Sequence, residues 1–204
     1  QMQSNLYIQA KPFEFLTLKS TYALDYVYVD NELYQHPLSN EGFSTNGFAQ
    51  SWYNKTKRWV WTNTAQFSKS FKKHNVSALI GVEQQKTEFI GFGLSRQNVN
   101  DPAFTNIQGG WTTPNTAGLG ISDNYLYSEF ASANYNFDRK YFIAANIRRD
   151  GASQLGANSK FGTFYGISGG WEISEEDFWK QSFFGKTFSS FKIRGSYGKV
   201  GNIS

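Results

Sequence analysis

Leu16-Thr17-Leu18-Lys19-Ser20-Thr21-Tyr22-Ala23-Leu24-Asp25-Tyr26-Val27-Tyr28 decides the fold. Alternate positions Leu16, Leu18, Ser20, Tyr22, Leu24, Tyr26 and Tyr28 make a nearly all-apolar face. Between them, Thr17, Lys19, Thr21, Ala23, Asp25 and Val27 make a mostly polar one. A period of two is that of a β-strand, whose side chains point to opposite faces in turn. A helical period of 3.6 would break the pattern within two turns. Ordinary strands run about 5–6 residues, and a strand that crosses a bilayer needs about 9–11. This run is long enough to cross.

Seven further runs read the same way, at about 5–11, 57–70, 74–89, 124–137, 141–150, 162–173 and 190–200. In the run at 162–173, Tyr165, Ile167, Gly169, Trp171 and Ile173 oppose Gly166, Ser168, Gly170 and Glu172. The expectation is an all-β, antiparallel fold of about eight strands. Composition agrees. The 204 residues hold 19 Phe, 12 Tyr and 6 Trp, yet only 18% are charged, against about 25% in soluble domains. Mean hydropathy is −0.53, so Asn, Gln, Ser, Thr and Gly fill the balance. No apolar run reaches the ~18 residues of a membrane helix, and the aromatic content excludes a disordered tract. Zero Cys removes thiolate metal sites and cysteine nucleophiles. A scattered net charge of +4 argues against a nucleic-acid partner.

The connections carry more. Pro12-Phe13-Glu14, Phe71-Lys72-Lys73 and Asp138-Arg139-Lys140 read as tight turns, and between them lie long segments at 29–56, 90–123 and 151–161, rich in Asn, Gly, Ser and Thr. Short and long alternate. Compact soluble domains seldom hold structureless loops beyond about 12–15 residues, whereas transmembrane β-barrels combine short periplasmic turns with long extracellular loops. Tyr26, Tyr28, Trp59 and Trp61 fall toward the long-loop ends; Phe67, Tyr135, Phe137, Tyr141 and Trp171 fall toward the short-turn ends. Two such girdles suit the two membrane interfaces. The reading from another class is a soluble or surface β-sandwich, a carbohydrate-binding module whose aromatics fill a core. Ser174-Glu175-Glu176-Asp177-Phe178-Trp179-Lys180 breaks the pattern and predicts a short helix opened by a Ser174 capping box. The chain starts without Met and stops at Lys199-Val200-Gly201-Asn202-Ile203-Ser204, which reads as an internal piece, residues 1–204 forming part of a barrel domain.

Ile147-Arg148-Arg149-Asp150-Gly151-Ala152-Ser153, then Phe161-Gly162-Thr163-Phe164, then Ser168-Gly169-Gly170-Trp171-Glu172-Ile173-Ser174-Glu175-Glu176 follow one another in order. Phe191-Lys192-Ile193-Arg194-Gly195-Ser196-Tyr197-Gly198 and Gly201-Asn202 complete the series. Together these resemble the barrel signature of the SusC/RagA family, the TonB-linked outer-membrane transporters of Bacteroidetes. The likeness is most specific over 124–202. Gln154 and Leu155 depart from the family's basic and aromatic pair, and Tyr165-Gly166 from a Pro-Ser. The resemblance implies a 22-stranded barrel of which this chain supplies about a third, in the outer membrane of a bacterial cell. It implies a plug and a TonB-contacting segment outside this stretch, a SusD-like surface lipoprotein as partner, and import of a glycan or oligopeptide without a cofactor.

No motif for a nucleophile, metal or phosphate appears. His36 and His74 stand apart without a carboxylate at triad or ligand spacing, and His74 reads as a solvated turn residue. An eight-stranded outer-membrane enzyme would need a nucleophile with a His partner, and none is visible. Trp52 and Trp111 sit among Asn, Gln and Thr; each offers a flat apolar plate to a sugar or peptide, or packs a folded loop. Lys19, Asp25, Lys192 and Arg194 face inward, toward plug, neighbours or ligand. Arg148-Arg149-Asp150-Gly151 suggests a phosphate or acid clamp, but reads better as a strand end passing through Asp-Gly into an outer loop, with Arg148 lumenal and Arg149 at the headgroups. Glu129 falls on the outward face, unless the register there is off by one.

Overall fold

The computed structural model describes residues 1–114, 117–154 and 161–201; Leu155, Asn202, Ile203 and Ser204, named above, lie outside them. The strands are β1 (Met2–Phe13), β2 (Leu16–Gln35), β3 (Phe48–Phe71), β4 (His74–Val99), β5 (Trp111–Pro114), β6 (Gly118–Phe137), β7 (Tyr141–Ala152), β8 (Phe161–Glu172) and β9 (Lys192–Lys199). All belong to one sheet ordered β1-β2-β3-β4-β6-β7-β8-β9, with β5 paired to β4. The eight expected strands are present, and β5 is added within a connection expected to be a loop.

One sheet, not two, is what separates a barrel wall from a sandwich. A sandwich buries the inner faces of two packed sheets. Here the buried apolar side chains among the described residues are Ala49, Val99 and Ile173 alone. The registers put the apolar residues together on an exposed face. Tyr135, Ile143, Gly169 and Gly195 are successive partners across β6, β7, β8 and β9, and Ala133, Ala145, Ile167 and Tyr197 form the next row. Ile143, Ile147, Ile167 and Ile193 are 50–55% exposed. Positions between them place Asn134, Ala144, Ser168 and Ser196 in one row of the opposite face, and Asn136, Phe142, Gly170 and Arg194 in the next.

Three expectations need correction, the first two in the connections and the third at His74. The segments 29–56 and 90–123 are largely strand: β2 runs to Gln35, β3 starts at Phe48, β4 continues to Val99 and β6 starts at Gly118. Residues 29–35 and 48–56 mix polar and apolar side chains on both faces and lose the alternation that marks a strand. Ile90, Phe92 and Leu94 keep it but stand opposite Gly91, Gly93 and Ser95, whose composition reads as loop. The backbone groups of all of them still pair in the ladder. Tyr26, Tyr28, Trp59 and Trp61 therefore lie within strands and not at their ends. The helix after β8 also differs. Ile173–Glu175 is a 3₁₀ turn, α1 is Asp177–Lys180 and Ser174 does not cap it; the Ser174 hydroxyl donates to Glu172 at 2.7 Å instead. A second helix, α2 (Phe183–Thr187), went unforeseen; Ser182 caps it by accepting from the Gly185 N–H at 3.1 Å.

The chain divides into two compact units. The first comprises Gln1–Ser4, Leu24–Trp59 and Lys86–Asn124. Within it Tyr28 stacks on Tyr53, which packs on Phe92, and the 36–47 connection folds on itself, the Nδ1 of His36 accepting from the Leu38 N–H at 3.1 Å. The second comprises Asn5–Ala23, Val60–Gln85 and Tyr125–Ser204. Its short-turn ends carry a chain of ring contacts from Phe71 through His74, Phe137, Tyr141 and Trp171 to Phe178, with centroids 4.9–6.4 Å apart. His74 belongs to this belt. It is half-buried, with Nδ1 2.7 Å from the Tyr135 hydroxyl, because pairing β4 with β6 sets it against aromatic neighbours. The solvated reading of His74 is overturned.

Candidate functional site

The polar face of the second unit holds an ionic cluster. Arg148 and Asp150 alternate along β7, and Ser128 of β6 is the register partner of Asp150. Arg148 donates from Nε to Asp150 at 2.7 Å and from Nη2 to Ser128 at 3.0 Å, and lies 3.5 Å from Glu83 of β4. Thr62 of β3 donates to the other Glu83 oxygen at 3.0 Å. Phe130 lies under the guanidinium at 5.6 Å. Ser128 is fully buried and Asp150 nearly so, at 7% exposed. A buried carboxylate needs such partners to stay charged. Two carboxylates around one guanidinium leave the cluster acidic, so it has no free clamp for an anion.

Lys192 and Arg194 share a recess of about 670 Å³ on the same face, lined also by Asn75, Ser77, Asn134 and Asn136. Lys192 sits 3.6 Å above the Phe142 ring and 3.6 Å from Glu172. The Glu172 carboxylate accepts from the Ser174 and Ser190 hydroxyls at 2.7 and 3.1 Å. The structure places the remaining candidates elsewhere. Lys19 covers the Tyr7 ring at 4.7 Å. Asp25 lies on β2. Trp52 is on β3, half-buried, with its Cβ against the backbone of Gly93. Trp111 is on β5, edge-on to Tyr34 at 6.1 Å, with its indole N–H donating to the Asn106 carbonyl at 2.7 Å. Its ring packs a folded connection. Of the seven candidates, only Lys192 and Arg194 come together.

Sequence reading missed Thr62, Glu83 and Ser128, because single polar residues announce a cluster only once the register is known. It also missed the hub at Glu176. Lys140, the Tyr141 hydroxyl and the Trp171 indole N–H donate to its carboxylate at 2.8, 2.6 and 3.2 Å. The Lys140 hydrogen bond first, then that of Tyr141, lower the Glu176 pKa to about 2, against the opposing effect of desolvation. The segment 173–191 is thereby tied to the start of β7. Glu129 stays on the outward face: it is the register partner of Arg149, 3.8 Å away, and accepts from the Tyr127 hydroxyl at 3.1 Å. Arg149 also covers Phe161 at 4.3 Å.

No family model matches the chain. TonB-dependent receptor P3 of Formosa agariphila is 33% identical over 165 residues, 80% of this chain and 16% of that protein. TonB-dependent receptor SusC of Bacteroides thetaiotaomicron is 28% identical over 142 residues, 67% of this chain and 13% of that one. The solved RagAB peptide transporter superposes with a TM-score of 0.84 over 96% of this chain and 22% of its own, at 25% identity. The chain belongs to the SusC/RagA family of TonB-dependent receptors. It spans 13–20% of the length of the curated relatives it matches. Likeness to the SusC/RagA barrel extends well before residue 124, since one relative matches over 97% of the chain. The fold is thus that of a β-barrel wall, and the sandwich reading falls with it.

Proposed function

We propose that this chain forms part of the wall of an outer-membrane importer that takes up a glycan or oligopeptide. In this reading a SusD-like surface lipoprotein lids the barrel, and the TonB complex displaces a plug through a segment not in this chain. The process is transport without catalysis. The observation that carries the reading is the exposed apolar face of β6–β9, with isoleucines at least half exposed and an aromatic belt along its short-turn end. Lipid is the solvent such a face suits. Strands beyond the ~9–11 residues needed to span a bilayer, such as β4 with 26, would continue outside it on the extracellular side.

The test is extraction of the parent chain followed by native mass spectrometry. Recovery only in detergent, from the outer-membrane fraction and with a lipoprotein bound, is expected. A detergent-free soluble monomer overturns the reading.

A further inference from the structure

The two faces of β3 and β4 differ in charge within the first compact unit. On one face Lys57 lies 3.8 Å from Glu88, Glu88 lies 2.6 Å from Lys86, and Lys86 lies 3.4 Å from Asp123. Lys55 covers Tyr26 on this same face at 5.6 Å. Side chains alternate along a strand, so Gln50, Trp52 and Asn54 of β3 share the opposite face with Phe89, Gly91 and Gly93 of β4. From Gln50 to Thr56 and from Thr87 to Gln97 that face has no Lys, Arg, Asp or Glu. Along β3 the next residue of that face after Thr56 is Arg58. Lys55 lies over Tyr26 of the apolar face of β2, so the uncharged face is the opposite one, lumenal in the importer reading on which this inference rests.

Glycines shape its floor. A Cβ at Gly91 would lie 2.8 Å from Asn54 Oδ1 and 3.0 Å from Phe89 Cζ, and one at Gly93 would lie 2.9 Å from Trp52 Cβ. The Phe89 ring therefore lies over bare backbone and reaches toward β6, 4.0 Å from where a Cβ of Gly120 would be. Gly118 meets nothing within 4 Å. Phe89 is thus an aromatic plate on bare backbone, and Trp52 stands half-buried on the same face with Asn54 between them. Phe89 is four residues, about 13 Å, along β4 from the Gly93 beside Trp52.

We propose that Trp52 and Phe89 form a stacking platform for a neutral oligosaccharide. The C–H faces of sugar rings are apolar and suit an aromatic plate, while amides such as Gln50 and Asn54 both donate to and accept from hydroxyls. A peptide brings charged termini and side chains, which lose hydration on this face without a counter-charge. The cargo class of this chain is therefore a glycan.

The test uses the full-length receptor with its lipoprotein, purified in detergent. It is exposed to neutral malto-, cello-, xylo-, laminari- and manno-oligosaccharides, and separately to a tryptic casein digest. Retention of a neutral oligosaccharide is expected. Trp52→Ala and Phe89→Ala should each weaken it about tenfold, Trp52→Phe should restore most of it, and Tyr53→Ala on the opposite face should leave it unchanged. Heat-modifiable mobility shows that each variant is folded. Retention of peptides only, of neither class, or of a glycan indifferent to Trp52 and Phe89 overturns the proposal. Cellular uptake of peptide would overturn it while leaving the importer reading intact, whereas a soluble parent chain would overturn that reading first.

Discussion

Gly81→Ala tests how this sheet holds together without a core. A Cβ at Gly81 would lie 2.6 Å from Phe130 Cε2, and closer to Cζ, with the Asn63 carbonyl oxygen at 3.1 Å on another side. The ring has to move, and Phe130 is the surface under the Arg148 guanidinium at 5.6 Å. Three effects compete. Replacing Gly in a strand lowers the entropy of the unfolded chain, a gain of about 0.5–1 kcal/mol. Overpacking costs about 1–3 kcal/mol. Weakening the cation–π contact costs about 0.5–1 kcal/mol. The entropy gain and the cation–π loss nearly cancel, so the net expectation is a loss of about 1–3 kcal/mol.

The assay is urea unfolding of the parent receptor in micelles, followed by heat-modifiable mobility. Phe130→Leu in the Gly81→Ala background should recover more than independent effects predict, by about 1 kcal/mol. A neutral or stabilised Gly81→Ala, or strict additivity of the pair, would refute the account of the ring and glycine as one packed unit.

Three further outcomes follow from the geometry. Glu176 has a pKa lowered from 4.5 to about 2, so its contribution is complete above pH 4.5 and is lost as pH falls through about 2. Hydrogen exchange in α1 should accelerate over that window, and Glu176→Gln should flatten the dependence. Arg149→Leu strips Glu129 of its cross-strand partner on the outward face and should cost about 1 kcal/mol, read by the same urea assay, while Glu129→Gln with Arg149→Leu should recover part of it. Trp111→Ala removes the Tyr34 contact and the Asn106 hydrogen bond, so limited proteolysis should cut the 100–110 connection faster with little change in global unfolding. Protection equal to the parent would show that β5 is held by other means.

Strand identity was legible where an apolar face opposed a polar one without many glycines; Ile90, Phe92 and Leu94 alternate as well, but Gly91 and Gly93 between them read as loop. From Tyr141 to Arg149 and from Thr163 to Trp171 the alternation alone gives the faces, and the register agrees residue by residue. It failed at Val29–Gln35 and Phe48–Thr56, where both faces are wet and nothing in hydrophobicity marks a strand that its partners nonetheless pair. The site was less legible for a related reason. Arg148 could be singled out as a charge, but its occupation by Asp150, Ser128 and Glu83 is fixed by three strands whose offsets no single segment states. Glu129 shows the converse: an apparent register error was a correct register, and its missing explanation was Arg149 one strand away. His74 was misjudged because proximity to Lys72 and Lys73 in sequence says nothing of Phe71 and Phe137 in space.

The glycines resolve a last tension. Gly is poor in strands, yet this strand-rich chain has 19 of them beside 19 Phe. Phe130 lies over Gly81, Phe89 over Gly91 and Phe164 over Gly162, where a Cβ would come within 3.0 Å of a ring atom in each case. A side chain at those positions would lift each ring off the sheet; bare backbone lets it lie flat and fill its own face. A soluble domain would find partners for such rings in a second layer, at the density of a protein interior. Among the described residues this sheet packs on no second sheet, and the surface each of these rings covers is the sheet itself. The pairing of glycine with aromatic residues then follows from a sheet that packs on no second sheet among the described residues, and it leaves apolar rings such as Phe89 on a stretch of β3 and β4 whose face carries no charge.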